Sequence, residues 1–212
     1  MTGTRDDFLA AARSAAGLLR EPAVAAAWPR PSALSEFSVG GLAGHLAYQI
    51  LAIPQILSTP VPDEPVIPLL EHYARVPWIG AGLDADINVR IRDGGDKEAA
   101  DGPDALAARV DSAIGQSTDA LAALPERPVR ISLWGPWSLT LNDMLITRMM
   151  ELAVHSDDLA VSVGLPTPEL PQGVVDSVID LLSRLAVRRH GPTQVLRALS
   201  RAERAPASIT AF

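Results

Sequence analysis

The sequence contains no cysteine, and this absence removes several kinds of chemistry at once. A chain without thiols forms no disulfide, offers no thiolate to a zinc ion and has no cysteine nucleophile. Any thiol chemistry in this protein would therefore have to use a thiol that a co-substrate brings to it.

Basic side chains are fewer than acidic ones in this sequence. The chain carries 18 Lys and Arg residues against 25 Asp and Glu residues, which gives a net charge of −7. With no basic stripe to meet phosphates, we predict that nucleic acid is not a partner, and the same charge disfavours an anionic membrane surface. The first ten residues, MTGTRDDFLA, carry two acidic side chains where a signal peptide has a basic region, so we predict a cytoplasmic protein.

One long uncharged run has to be weighed as a membrane span. Residues 39–57, VGGLAGHLAYQILAIPQIL, are 19 residues without a charge. His45 and Gln49 are poorly placed for lipid, Pro54 interrupts the end of the run, and no basic flank anchors it. We therefore predict a central helix of a soluble bundle. The small residues Gly41 and Gly44 of this helix would allow a neighbouring helix to approach closely. The predicted core face of this helix consists of Leu42, Leu46, Ile50, Ile53 and Leu57.

The length and the hydrophobic periodicity predict an all-α protein. A chain of 212 residues can bury one good core, so we predict a single domain over 1–212, with its core at about 5–163 and a helical extension at 172–212. The predicted architecture is a four-helix bundle with short additional helices and a small hairpin or extended loop before the last bundle helix. Helices are predicted at 6–28, 39–57, 104–124, 140–163, 172–189 and 193–204, a short helix within 69–83, a charged loop at 92–103 and the hairpin at 128–139.

The stretch 140–163 organises the chain. Thr140 stands where an N-cap belongs, with Asp143 three residues later, and Gly164 followed by Pro166 ends the helix. Leucine and valine residues recur along it at helical spacing and form an apolar stripe.

Ionisable side chains border that stripe. Glu151 and His155 lie four residues apart and therefore stack on one face of the helix, with Asp158 on the same side. Arg148 falls near the middle of the stripe, where it would pair with Glu151 or Asp158 or reach a substrate carboxylate. Such groups are costly at an apolar surface unless they are paired or bound. His45 borders the apolar face of the helix predicted at 39–57 in the same way.

Two plainer interpretations of these residues stay open. A Glu-x-x-x-His pair is frequent on solvated helices as a simple charge pair, and a lone histidine on an apolar helix is more often a hydrogen-bonded core residue. His72 and His190 are interpreted as ordinary residues, one near a loop and one at a helix C-terminus. Trp134 and Trp137 are predicted to pack in the core or the hairpin, with the mouth of a pocket as the alternative.

Three stretches together carry a resemblance to a known family. They are W-P-R-P-S at 28–32, S-V-G-G-L-A-G-H-L-A at 38–47 and E-L-A-V-H-S-D-D-L-A at 151–160. Together they resemble the DinB-like metalloenzyme superfamily, and within it the N-terminal domain of mycothiol-dependent maleylpyruvate isomerase. The resemblance implies a four-helix bundle that holds a divalent metal, usually zinc, with ligands at the positions of His45, Glu151 and His155. Asp158 would then accept a hydrogen bond from the free imidazole N–H of His155.

The resemblance also implies a function. We expect a metal-dependent enzyme that uses a low-molecular-weight thiol such as mycothiol for thiol transfer to, or thiol-assisted isomerisation of, a small electrophilic substrate. Its partners are then that substrate and the thiol co-substrate. The full isomerase carries a further C-terminal domain, for which we expect the residues after 163 to be too few.

Two other functions remain open at this point. One is a non-catalytic metal-binding module that acts as a sensor or a protein-interaction domain, for which a homodimer would be suitable. In the other, His45, Glu151 and His155 form only a polar network that is bonded within the core.

Overall fold

Helices make up most of the computed structural model, which describes residues 3–131 and 133–212. The helices are α1 Thr4–Leu19, α2 Pro22–Ala26, α3 Val39–Ser58, α4 Leu69–Arg75, α5 Asp86–Glu98, α6 Pro103–Ala123, α7 Leu141–Val163, α8 Gln172–His190 and α9 Pro192–Ser200, followed by a 3₁₀ turn at Ala202–Arg204. Two short strands, β1 Pro128–Val129 and β2 Leu139–Thr140, pair antiparallel with Pro128 opposite Thr140. The predicted hairpin before the last bundle helix is therefore present.

Four long helices form the bundle. α1 packs against α6 and α7, and α3 packs against the same two helices from the other side. α5 lies along α3, α8 lies against α7 and α1, and α9 packs on α8. This arrangement confirms the predicted all-α four-helix bundle with additional helices.

Local capping explains where the two central helices begin and end. The Thr140 hydroxyl accepts a hydrogen bond from the Asp143 backbone N–H at 3.0 Å, and Ser38 caps α3 in the same way. Each cap satisfies one of the backbone donors that the first turn of a helix leaves unpaired. Gly164 ends α7 in a left-handed conformation with φ 72°, which a residue without a Cβ adopts at little cost.

The first predicted helix is too long. α1 ends at Leu19 and the short α2 begins at Pro22, so the single helix predicted at 6–28 is two helices. Proline has no N–H to donate and its ring clashes with the preceding turn, so it begins a helix more readily than it continues one. Pro54 differs, because it lies within α3 and the helix runs on to Ser58.

The charged loop predicted at 92–103 is also wrong over most of its length. α5 continues through Gly94 and Gly95 as far as Glu98. The backbone of α5 lies so close to α3 that a Cβ built on Gly44 would be 2.0 Å from the carbonyl oxygen of Gly95. The predicted close approach of a helix at Gly41 and Gly44 is therefore confirmed, and α5 is the helix that approaches.

The apolar face predicted for α3 faces the core. Every one of its residues, Leu42, Leu46, Ile50, Ile53 and Leu57, is buried. Within the described parts of the chain, no helix has both the length and the apolar character that crossing a membrane requires.

Candidate metal centre

Three ionisable side chains from two bundle helices meet at one point. His45 comes from α3, and Glu151 and His155 come from successive turns of α7. The Nε2 atom of His155 lies 3.2 Å from Oε2 of Glu151, and Nε2 of His45 lies 3.5 Å from the same oxygen. Both imidazoles therefore direct the same ring nitrogen at one carboxylate oxygen.

A fourth side chain orients one of these imidazoles. Nδ1 of His155 donates a hydrogen bond to Oδ2 of Asp158 at 2.9 Å, one turn along α7. Because Nδ1 is engaged on that side, the ring is held with Nε2 towards Glu151. The structure thus brings Asp158 to the position that the sequence predicts for it.

Burial and hydrogen bonding give the three groups different protonation states. Burial lowers the pKa of His155, but the hydrogen bonds to Asp158 and Glu151 outweigh it and raise that pKa to about 9. Burial also raises the pKa of the Glu151 carboxyl, yet the two imidazoles hold it well below its usual range. For His45, burial is the dominant influence and lowers its pKa. Without a bound ion, the cluster is therefore an imidazolium, a carboxylate and a neutral imidazole at neutral pH.

The cluster lies at the wall of a large cavity. The cavity has a volume of about 660 Å³, which lies within the usual range for small-molecule sites. Its lining is mainly apolar and includes Phe37, Trp78, Trp134, Met150 and Val154. A small molecule in this cavity would contact the cluster directly.

Comparison with known proteins assigns the chain to a family. A family model described as the mycothiol maleylpyruvate isomerase N-terminal domain matches residues 8–160. The chain belongs to this family. No curated protein and no solved structure matches the chain significantly. The matched span includes most of every bundle helix and the whole cluster, so the family match covers the part of the chain that holds the site.

The donor set of this family member fits a divalent ion. Two imidazoles and one carboxylate are a common set for a catalytic zinc, with ligand bonds of about 2.0–2.2 Å. Two such ligands of a tetrahedral ion lie about 3.4 Å apart, close to the 3.2 and 3.5 Å between the imidazole nitrogens and the Glu151 oxygen. One ligand atom from each of His45, Glu151 and His155 lies within 4.8 Å of the others, and the described residues supply no fourth member to this group.

Arg148 has partners other than those predicted. Its guanidinium donates hydrogen bonds to the Gln49 side-chain oxygen and to the Thr147 hydroxyl, and it lies 5.5 Å from the ring centre of Trp134. Of the two alternatives predicted for Arg148, the ion pair with Glu151 or Asp158 does not form among the described residues. The other alternative, contact with a substrate carboxylate, stays a prediction. Only 5% of this residue is exposed, and it lines the cavity.

His72, interpreted from the sequence as an ordinary residue near a loop, is fully buried. Its Nδ1 atom accepts a hydrogen bond from the indole N–H of Trp137 at 3.1 Å, and its ring lies 4.4 Å from that of Trp134. Burial and the charge of Arg148 lower the pKa of His72 to about 4, so the ring is neutral. The W-G-P-W motif at 134–137 indicates two indoles close together, but it gives no sign that His72 of α4 contacts these rings.

Proposed function

We propose that this protein is a metal-dependent enzyme that works with a low-molecular-weight thiol. In this proposal His45, Glu151 and His155 hold a divalent ion, zinc being the first choice, and mycothiol or a similar thiol is the co-substrate. The reaction is thiol transfer to, or thiol-assisted isomerisation of, a small electrophilic molecule. The observation that carries the proposal is the convergence of two imidazole nitrogens and one carboxylate oxygen at the wall of the cavity.

The chain's own residues have separate tasks in this proposal. When bound, a divalent ion supplies Lewis acidity that makes a thiol more acidic. Asp158 fixes the ring of His155 through Nδ1, which leaves Nε2 for the ion. Phe37, Trp78, Trp134 and Met150 give the cavity an apolar surface for the body of the substrate. Because the chain has no cysteine, the thiol must enter the cavity with the co-substrate.

The arrangement also supports a second candidate, a polar network without metal. Both imidazoles lie within ion-pair distance of Glu151, and this contact alone stabilises a partly buried carboxylate. A non-catalytic metal module is less well supported, since structural zinc sites are usually closed by four protein ligands. In the described residues the cluster has three members and borders a cavity.

Elemental analysis separates the first two candidates. We expect about one zinc or other divalent ion per chain in the wild-type protein, and its loss in His155→Ala. His190→Ala is the matched control, because the imidazole of His190 contacts the Thr210 carbonyl oxygen and lies outside the cluster. Absence of metal from the wild-type protein, even after reconstitution, would overturn the proposal and leave the polar network.

Thermal unfolding then tests the thiol. A ligand that binds only the folded state stabilises it by RT ln(1 + [L]/Kd). Mycothiol at a hundred times its Kd should therefore raise the free energy of unfolding of the metal-loaded protein by about 2.7 kcal/mol. The S-methylated form of the same thiol is the control, because it has no thiol proton to lose. Equal stabilisation by both compounds, or by neither, would contradict thiol activation at the centre.

A further inference from the structure

The cavity has a wall that the family model does not include. Arg189, in the last turn of α8, and Phe212 both line the cavity, although the family match ends at residue 160. The helical extension is therefore part of the candidate site rather than a separate appendage.

The segment that carries Phe212 is tied to the rest of the fold. Nε2 of His190 and the backbone oxygen of Thr210 lie 2.9 Å apart, and the ring of Phe212 lies 5.9 Å from that of Tyr73. Ala211 packs against the core between these two contacts. The tail thus returns to the cavity and places an aromatic ring at its edge.

The charges that line the cavity are unbalanced. Four cationic side chains line it: Arg90, Lys97, Arg148 and Arg189. In the part of the chain that the structure describes, none of them forms an ion pair. The two side-chain carboxylates in the lining are already engaged, Glu98 by Arg109 and Glu151 by the imidazoles. A cationic cavity in a chain with a net charge of −7 attracts and concentrates anions.

Several exposed residues in the lining of the cavity are apolar. Phe212 is 44% exposed, and Leu133 and Val154 are also among the exposed large hydrophobic residues that line the cavity. Exposed apolar groups that line one cavity are typical of a surface that a ligand covers. A ligand with both a charged group and a flat apolar body would satisfy both features of this wall.

We infer that Arg189 and Phe212 select the ligand of this cavity, an organic anion whose charged group meets Arg189 and whose apolar body lies against Phe212. The charged group is a carboxylate or a phosphate, which a guanidinium binds through two parallel hydrogen bonds. The inference rests on the proposed function in one respect, since it describes the electrophile or thiol adduct that would occupy the same cavity.

The neighbouring Arg188 provides a matched control. It has the same charge and lies on the same turn of α8, but its guanidinium donates a hydrogen bond to the Leu70 carbonyl oxygen at 3.0 Å. It does not line the cavity. Arg189→Gln and Arg188→Gln therefore change the net charge equally, but the first removes a cation that lines the cavity and the second removes one that is bonded to Leu70 outside it.

The test uses three probes with one ring system: 2-naphthoate, 2-naphthyl phosphate and uncharged 2-naphthylmethanol. Binding to the metal-loaded full chain is followed by calorimetry and by quenching of tryptophan fluorescence, since Trp78 and Trp134 line the cavity. We expect Arg189→Gln to weaken at least one anion by fivefold or more and to leave the alcohol unchanged. Phe212→Ala should weaken all three probes to a similar degree, and Arg188→Gln should weaken none. The stronger of the two anions identifies the charged group.

Two results would overturn the inference. One is wild-type protein that binds neither anion more tightly than the alcohol. The other is equal loss of anion binding in Arg189→Gln and Arg188→Gln, which would assign the effect to overall charge or to the metal alone. If the wild-type protein holds no metal, the proposed function fails, but the same titrations on the metal-free chain still decide whether Arg189 selects anions.

Discussion

Nδ1 of His155 and Oδ2 of Asp158 lie 2.9 Å apart across one turn of α7, and this hydrogen bond fixes which nitrogen of His155 faces Glu151. The bond needs only the spacing of three residues on a helix, so the backbone of α7 itself supplies the alignment. The part of the cluster on α7 is thus oriented from within one helix, while His45 from α3 completes the cluster.

Asp158→Asn should weaken metal binding without abolishing it. The amide can still contact the ring, but it removes the negative charge that holds and polarises the imidazole, and losses of such partners cost about 10- to 100-fold in metal affinity. Competition with a chelator measures the zinc Kd. Asp157→Asn is the control, because Asp157 accepts a hydrogen bond from Thr167 outside the cluster. Equal affinities for Asp158→Asn and the wild-type protein would show that the hydrogen bond does not support the site.

Metal binding at pH 7.5 should release about one proton per ion. His155, with a pKa of about 9, is protonated in the metal-free protein and must lose the Nε2 proton to bind. The lowered pKa values of His45 and Glu151 mean that neither releases a proton at this pH. Calorimetric titration in two buffers with different ionisation enthalpies counts the protons.

The pH dependence of that release gives a second check. Affinity should rise about tenfold per pH unit between pH 7 and about 8.5 and level off above the pKa of His155, where proton release falls towards zero. No proton release at pH 7.5 would mean that His155 is neutral in the metal-free protein, and the hydrogen bonds to Asp158 and Glu151 would then not outweigh burial.

The cluster on α7 could be predicted from the sequence because its geometry is local. Residues 151, 155 and 158 share a face in any helix that continues through them, and Thr140 and Gly164 mark its ends. The position of His45 opposite them is a tertiary fact, and only the family resemblance supplied it. α5 could not be predicted because two adjacent glycines and several charges indicate a loop when α3 is not considered. Its helix is stabilised by packing against α3, which overrides the propensity of Gly94 and Gly95.

The role of His72 could not be predicted for a related reason. Neither spacing nor periodicity connects position 72 with the indoles at 134 and 137, because the contact joins α4 to the hairpin segment. Arg148 shows the same limit, since the Gln49 side chain that it contacts lies on another helix. In each case the identity of the partner depends on the fold, which brings together residues far apart in the chain.

His72 should make the protein less stable in mild acid. Its pKa is about 4 in the folded state, through burial and the charge of Arg148, against about 6.5 when unfolded. Between these values the unfolded chain binds more protons, so stability falls as pH drops from 6.5 towards 4. Urea unfolding in the presence of a chelator measures this effect. Between pH 7 and 4.5 the free energy of unfolding should fall by about 2 kcal/mol more in the wild-type protein than in His72→Gln. Equal losses would mean that His72 accepts a proton within the fold.

Gly44→Ala should separate α5 from α3. The added Cβ would lie 2.0 Å from the Gly95 carbonyl oxygen, and backbone cannot rotate away as a side chain can, so α5 has to shift. Overpacking of this kind costs about 1–3 kcal/mol. Because Gly94 and Gly95 also line the cavity, the same shift should weaken ligand binding there.

Gly115→Ala is the control for this substitution. Gly115 lies in the interior of α6, and a Cβ added to it would meet nothing within 4 Å, so the alanine should stabilise the protein by about 0.5–1 kcal/mol. Chemical denaturation of both variants shows whether each substitution lowers or raises the free energy of unfolding. A Gly44→Ala variant as stable as Gly115→Ala would show that α5 does not depend on the glycine contact for its place beside the candidate metal centre.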